Sequence, residues 1–73
     1  MDIRFKTQYE SLGLNISYYR KKKKITQEKL SELINCSSHH LSQIETGDAS
    51  PSIDLLFQIS NILKTPVSDF FKN

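Results

Sequence analysis

Apolar side chains recur at steps of three and four residues along most of the chain, and no stretch alternates strictly between apolar and polar residues. A period near 3.6 residues places apolar positions on one side of an α-helix, whereas a strand alternates with a period of two. The pattern therefore predicts an all-α domain with five helices. Their predicted ranges are Gln8–Lys23, Gln27–Ile34, Ser38–Thr46, Ser52–Lys64 and Pro66–Phe71.

Residues that favour helix starts stand at the predicted boundaries. The hydroxyls of Thr26 and Ser37 are expected to cap the second and third helices by accepting a bond from a backbone N–H. Thr7 and Glu10 have the spacing of a capping box at the first helix. Thr65 precedes a proline at the start of the fifth helix and is predicted to cap it.

The link between the second and third helices is short. Asn35 is predicted to end the second helix in left-handed backbone, and Gly47 to end the third in the same way. With the cap at Ser37, about three residues, 35–37, remain between the two helices. A turn of this length joins the two helices of a helix-turn-helix unit.

Apolar stripes predict the inward side of each helix. The stripe of the first helix contains Tyr9, Leu12, Ile16 and Tyr19. Gly13 lies within this helix, where glycine costs about 1 kcal/mol relative to alanine, so we expect another helix to approach closely there. The inward positions predicted for the second and third helices are Leu30, Leu33, Ile34, Leu41 and Ile44.

The fourth helix is apolar on nearly every side. Its main stripe consists of Ile53, Leu56, Ile59 and Leu63, and further apolar residues lie outside this stripe. A domain of 73 residues cannot easily surround such a helix, so part of its surface is expected to meet another subunit. The candidate residues for a homodimer interface are Leu55, Phe57, Ile62, Phe70 and Phe71.

Length and charge add a few constraints. A chain of 73 residues holds one domain, predicted at 8–73 after an N-terminal arm at 1–7. The net charge of +2 does not by itself indicate a polyanionic partner, although residues 20–24 place five cations in a row. In isolation, such a run is equally well explained as the solvated end of a helix, where cations offset the dipole.

The cysteine content and the distribution of apolar residues predict the cellular location. One cysteine, Cys36, cannot form an internal disulfide, which fits a reducing cytoplasm. No apolar run is long enough to span a bilayer, and charged residues interrupt any apolar segment within residues 1–10 that would act as a signal peptide. We therefore expect a cytoplasmic protein without membrane contact.

Cys36, His39 and His40 lie close together and raise a metal site as an alternative. Three such residues at one helix start, without a distant ligand pair, are too few for a structural zinc site, so no metal or other cofactor is predicted. Cys36 is better interpreted as a core residue. The chain also lacks an evident catalytic triad, a pair of carboxylates in a cleft and a phosphate-binding loop, so no enzyme is predicted.

Several of these features occur together in one order. Thr-Gln-Glu-Lys-Leu stands at 26–30, Leu-Ser-Gln-Ile-Glu at 41–45, Gly47 follows, and Leu-Gly at 12–13 with Arg20 lies upstream. This arrangement resembles the Cro/phage-repressor helix-turn-helix family over about sixty residues. The helix caps, the turn and the core positions all match the family pattern, which makes the resemblance specific. It implies a five-helix, repressor-like DNA-binding domain.

The resemblance implies that the third helix enters the major groove of DNA and reads base edges. Gln43 is the strongest candidate because glutamine can bond to adenine through two hydrogen bonds. The candidate base contacts on the polar side of this helix are Ser38, His39, Ser42 and Gln43. The candidate contacts with the DNA backbone are Gln27, Thr26, Ser37, His40 and Thr46. The resemblance also implies that Gln27 supports the third helix. For the four base-contact candidates, the alternative is that they only keep a surface helix soluble. For Gln27, the alternative is a generic polar residue in the first turn of a helix.

Three further positions bear on the family pattern. Arg20 and Glu45 match a partly buried ion pair that ties the first helix to the third, a structural role; two unrelated surface residues are the alternative. Asp48 follows Gly47, where the family often has a basic residue. An acid there would repel phosphate, which puts one backbone contact in doubt.

Together these features predict a sequence-specific regulator of transcription that binds double-stranded DNA. We expect a homodimer on a pseudo-palindromic operator, acting as a repressor, with RNA polymerase as a further partner if it activates instead. The alternative is a protein-interaction adaptor or antitoxin on the same fold, whose main partner is another protein.

Overall fold

The computed structural model describes residues 1–72 as α-helices joined by short turns. The helices are α1 (Lys6–Lys22), α2 (Gln27–Leu33), α3 (Ser38–Thr46), α4 (Ile53–Leu63) and α5 (Val67–Phe70), and a 3-10 helix (Ile3–Phe5) precedes α1. Five α-helices and no strand within these residues confirm the predicted class. The predicted domain ends at Asn73, which lies outside the described residues. Within 1–72, no helix is both long and apolar enough to cross a membrane.

Helix α1 begins two residues earlier than predicted, and the expected capping box is wrong. The carboxylate of Asp2 accepts a bond from the backbone N–H of Arg4 at 2.9 Å and caps the 3-10 helix, which continues directly into α1. Thr7 therefore lies inside the helix, and the N-cap residue is Phe5, without a side-chain cap bond among the described residues. The predicted border between arm and domain falls within α1, and this division remains a prediction.

The predicted boundaries of the turn between α2 and α3 are confirmed to within one residue. The hydroxyl oxygens of Thr26 and Ser37 each accept a bond of 3.0 Å from the backbone N–H three residues further on. Asn35 and Gly47 have φ angles of 54° and 82°, in the left-handed region that ends a helix. The turn between the helices consists of residues 34–37.

The cap predicted for α5 is wrong. The hydroxyl of Thr65 donates to the carbonyl oxygen of Leu63 at 3.0 Å, so it satisfies the end of α4 instead of the start of α5. Pro66 is the N-cap residue, and α5 is a single turn from Val67 to Phe70.

One core joins the five helices. Helix α1 packs against α3 and α5, α2 packs against α3 and α4, and α4 packs against α5. The buried apolar residues are Leu12, Ile16, Leu30, Ile34, Leu41, Ile44, Leu56, Ile59, Leu63 and Phe70. Phe70 is fully buried, and its ring centroid lies 6.1 Å from that of Tyr19, so its prediction as an interface residue is wrong.

Two residues predicted to face inward are exposed. Leu33 is 47% exposed and Ile53 is 62% exposed. At 100° per residue, Leu33 lies about 100° around the helix from Ile34, and Ile53 about 120° from Ile59. Each therefore falls outside the narrow sector of its helix that the neighbouring helices cover.

Gly13 lies where α1 and α3 approach most closely. A Cβ atom at this position would overlap the backbone carbonyl oxygens of Ile44 and Glu45, the second of them at 2.6 Å. The close packing predicted from this glycine is confirmed. Because the obstructing atoms belong to a helix backbone, they cannot move aside as the end of a flexible side chain can.

Gly13→Ala is therefore expected to lower the free energy of unfolding by about 2 kcal/mol, although alanine favours helix more than glycine does. Urea denaturation measures the change. The matched control is Leu14→Ala at the next residue, which is 68% exposed and should shift stability by less than about 0.5 kcal/mol beyond its helix propensity. A Gly13→Ala protein as stable as the parent would contradict the close approach of α1 and α3.

Candidate nucleic-acid interface

The amino-terminal ends of α2 and α3 border an open depression on one side of the domain. First-turn N–H groups have no acceptor within their own helix, and the helix dipole makes this end positive. Such an end favours an anion, for example a phosphate of a nucleic acid. The depression is lined by Thr26, Gln27, Glu28, Ser38, His39 and Ser42.

The outward side of α3 is polar and accessible. Leu41 and Ile44 are buried on the opposite side of the helix and anchor it to the core. None of the candidate base contacts is packed inside the domain, so the outward side is free to meet a partner. Ser38 and His39 are exposed, and Ser42 and Gln43 are half-buried.

The carboxylate of Glu45 connects three helices at the flank of α3, between its buried and its outward side. Oε2 accepts a bond from Nε of Arg20 at 2.7 Å, and Oε1 accepts one from Nη2 of the same guanidinium at 3.1 Å. Arg20 and Glu45 are only 7% and 8% exposed. Nη1 of Arg20 also donates to the carbonyl oxygen of Ile25 at 2.8 Å. A two-bond pair of this kind fixes the angle between α1 and α3.

Gln27 joins this cluster from the first turn of α2. Its Nε2 donates to Oε1 of Glu45 at 2.8 Å, so Gln27 supports α3 as the resemblance implies, through a partner that the sequence did not indicate. The side-chain amide retains its second N–H and its carbonyl oxygen. Gln27 therefore holds the flank of α3 while it lines the depression.

The candidates for backbone contact that carry a hydroxyl differ in whether the hydroxyl proton is free to donate to a phosphate. Thr26 and Ser37 use their oxygens as internal acceptors, so each keeps its own proton to donate to a phosphate. The hydroxyl of Thr46, at the far end of α3, lies 2.8 Å from Oδ2 of Asp48. Since a hydroxyl has one proton, Thr46 is committed to an acceptor inside the protein. His40 is half-buried at the edge of the outward side.

Comparison with known proteins identifies this arrangement. The model of the helix-turn-helix family HTH_3 matches residues 16–70, which include α2, the turn and α3. The chain belongs to this helix-turn-helix family. The resemblance seen in the sequence is confirmed, and α2 and α3 are the two helices of its helix-turn-helix unit.

Three known proteins are similar to this chain. An uncharacterized HTH-type transcriptional regulator of Methanocaldococcus jannaschii is 32% identical over 56 residues, which are 77% of this chain and 85% of the relative. The crystal structure of the clp gene regulator ClgR from Corynebacterium glutamicum is 30% identical, with a TM-score of 0.83 over 86% of this chain and 67% of ClgR. The restriction-modification controller protein C.AhdI from Aeromonas hydrophila is 18% identical, with a TM-score of 0.84 over 89% of this chain and 98% of C.AhdI, and shows the same fold.

Glu28 is a residue of the helix-turn-helix surface that sequence reasoning missed. It lies in the first turn of α2 and lines the depression beside His39. A carboxylate can accept a bond from the N4 amino group of cytosine, and it repels phosphate. Its position directly after Gln27 could have indicated this, because adjacent residues in the first turn of a helix share the exposed helix end.

The lysine run 21–24 occupies the end of α1 and the loop that leads into the helix-turn-helix unit. All four lysines are exposed, and Lys24 has a φ angle of 59°. Nζ of Lys22 lies 5.8 Å from the ring centroid of Tyr18. Within residues 1–72, none of the four forms an ion pair, so their charges face solvent.

Cys36, in the turn of the helix-turn-helix unit, packs against the core as a partly buried residue. Burial raises the pKa of its thiol, and Sγ lies 3.5 Å from the carbonyl oxygen of Ser37. A protonated thiol is a poor metal ligand. Within the described part of the chain, no three His, Cys, Asp or Glu residues are grouped to hold a metal ion.

The remaining candidates for a dimer interface lie on two sides of α4 and on the end of the chain. Leu55 and Ile62 are half-buried against the core. Phe57 and Phe71 are 53% and 58% exposed. On the α4 wheel, Phe57 is about 140–160° from Leu55 and Ile62. Phe57 therefore lies on a different side of α4 from Leu55 and Ile62, and the part of all these residues in an interface remains a prediction.

Proposed function

We propose that this helix-turn-helix protein is a sequence-specific regulator of transcription that binds double-stranded DNA through α3. The observation that carries the proposal is the polar, accessible outward side of α3, fixed in place by the bonds that Glu45 accepts from Arg20 and Gln27. Membership of the family supports DNA binding, and relatives named as transcriptional regulators support its use in gene control. No catalytic step is part of this function.

The proposed active form is a homodimer in the cytoplasm. Two copies of α3 would lie about 34 Å apart and read the halves of a pseudo-palindromic operator. Phe57 and Phe71 offer exposed apolar surface for the contact between subunits. The simplest output is repression, because a dimer on a promoter blocks polymerase; contact with RNA polymerase would produce activation instead.

A protein-interaction adaptor or antitoxin is the second candidate function. It is favoured by the exposed apolar side chains outside α3, in particular Ile53, Phe57 and Phe71. The two functions differ in what the purified protein retains: a regulator retains duplex DNA of defined sequence, whereas an adaptor forms a stable complex with a second protein and retains no DNA.

Selection of bound duplexes from a random pool, followed by affinity measurement, tests the proposal. Gln43→Ala is expected to weaken binding to the selected duplex by about 1–3 kcal/mol and to relax base preference at one position per half-site. The physical reason is the loss of paired hydrogen bonds to one base edge. Affinity for the parent protein should also fall steeply with salt, because phosphate contacts displace counterions.

The matched control is Gln58→Ala, which removes an exposed glutamine from α4 on another part of the surface. It should leave both affinity and base preference unchanged. Equal base preference in the parent and the Gln43→Ala protein would contradict the assignment of the reading side of α3. Absence of any preferred duplex for the parent would contradict sequence-specific regulation as a whole.

A further inference from the structure

The carboxyl end of α3 carries an acidic residue close to the proposed DNA-binding side. Asp48 follows Gly47 directly after the helix, and its carboxylate lies 2.8 Å from the hydroxyl of Thr46, which shares the outward side of α3. The dipole of α3 is also negative at this end. A DNA phosphate that approaches here would be repelled by both negative charges. The proposed function therefore requires a positive charge that offsets them.

Lys6 supplies a positive charge at this place from a distant part of the chain. It is the first residue of α1, and its Nζ lies 2.6 Å from Oδ1 of Asp48 and 2.9 Å from the carbonyl oxygen of Gly47. The ammonium thus contacts both the acidic side chain and the backbone at the end of α3. The two bonds use two of its three N–H donors, so one donor is left.

The surroundings of the pair keep it within reach of solvent and of a large ligand. The Lys6 side chain is 30% exposed and that of Asp48 is 59% exposed. The bond from Lys6, and after it the bond from Thr46, hold the pKa of Asp48 below its usual value, so the carboxyl group is ionised at neutral pH. Lys6 therefore meets a full negative charge.

We propose that Lys6 is a positioning residue for DNA binding, which acts through Asp48 to cancel the negative charge at the carboxyl end of α3 and so permits a DNA phosphate to approach. The inference rests on the proposed function and adds to it a residue outside the helix-turn-helix unit. Lys6 lies ahead of the segment that the family model matches, residues 16–70. The N-terminal part of α1 then supplies the positive charge that offsets the acidic residue after α3.

A double-mutant cycle on the full chain tests this coupling, with Lys6→Met, Asp48→Asn and the double variant titrated against the selected duplex at low salt. Lys6→Met is expected to weaken binding about five- to tenfold, because an uncompensated carboxylate then faces phosphate. Asp48→Asn should bind within about twofold of the parent, so that Lys6→Met has little effect in the Asp48→Asn background. The double variant should return to within about twofold of the parent, since no charge is left to cancel.

The chain contains a matched control pair. Nζ of Lys72 lies 2.7 Å from Oδ1 of Asp69, on α5 and away from α3. Lys72→Met, Asp69→Asn and their double variant should each bind within about twofold of the parent, with no coupling. Thermal unfolding of every variant verifies that changes in affinity do not come from loss of fold. An NMR titration of Asp48 should show its carboxyl pKa rising toward the usual value in Lys6→Met.

The outcomes separate this inference from the proposed function. If the parent binds the duplex and Lys6→Met loses the same factor in the parent and Asp48→Asn backgrounds, Lys6 is an independent cation and the inference is wrong. It is also wrong if Lys6→Met binds as the parent does, or if the Asp48 pKa is unchanged by the substitution. If the parent binds no duplex, the proposed function fails first, and the role of Lys6 in DNA binding fails with it.

Discussion

Arg20→Met is expected to lower the free energy of unfolding by about 3–5 kcal/mol, because it leaves the buried carboxylate of Glu45 without its cationic partner. Glu45 is 8% exposed and receives two of its three bonds from this guanidinium. The remaining bond from Gln27 cannot offset a buried charge. A single core in a domain of this size rarely supplies more than about 5 kcal/mol, so the variant should be largely unfolded at room temperature. Circular dichroism with urea titration measures this loss.

The double variant, Arg20→Met with Glu45→Met, provides the control for this prediction. It removes both charges and replaces them with apolar side chains of similar length, so a large part of the lost stability should return. Recovery would show that the stranded charge, and not the loss of packing, causes the instability. An Arg20→Met protein within about 1 kcal/mol of the parent would contradict a buried, coupled pair.

Phe70→Ala is expected to have a comparable effect, a loss of about 3–5 kcal/mol, because it removes a fully buried ring and leaves a cavity between α1 and α5. The next residue is the matched control. Phe71 is 58% exposed, so Phe71→Ala should change the stability of the monomer by less than about 0.5 kcal/mol. Thermal denaturation at low protein concentration measures the stability of both variants as monomers.

The pair of phenylalanines also separates core from interface. If the exposed ring of Phe71 packs against a second subunit, Phe71→Ala should weaken self-association, measured by sedimentation, while the monomer stays folded. A strong loss of monomer stability in Phe71→Ala, or none in Phe70→Ala, would reverse the roles that the structure gives to these two residues.

Local signals explain which parts of the fold could be predicted. Thr26, Ser37, Asn35 and Gly47 act on their own helix ends, through a cap or a left-handed backbone, and the turn between α2 and α3 was predicted to within one residue. Thr7 shows the limit of such rules. Its spacing to Glu10 is that of a cap, but the chain had already entered a helical turn upstream.

Tertiary contacts explain what could not be predicted. The apolar period shows that α5 needs burial, but it does not distinguish Phe70 from Phe71, since the choice depends on which one α1 covers. The contact between Lys6 and Asp48 joins residues 42 positions apart and leaves no local pattern. The Arg20–Glu45 pair, 25 positions apart, was anticipated only through family resemblance, and the bond from Gln27 to the same carboxylate was not.

The anchoring of α3 has a consequence for how such a protein can change its target. Its inward residues and Glu45 fix the helix, whereas Ser38, His39, Ser42 and Gln43 take no part in the buried cluster. Mutations at these outward positions therefore carry little penalty in folding, because they leave every buried contact in place. Under the proposed function, a lineage can therefore change the DNA sequence that the domain recognises one side chain at a time while each intermediate stays folded.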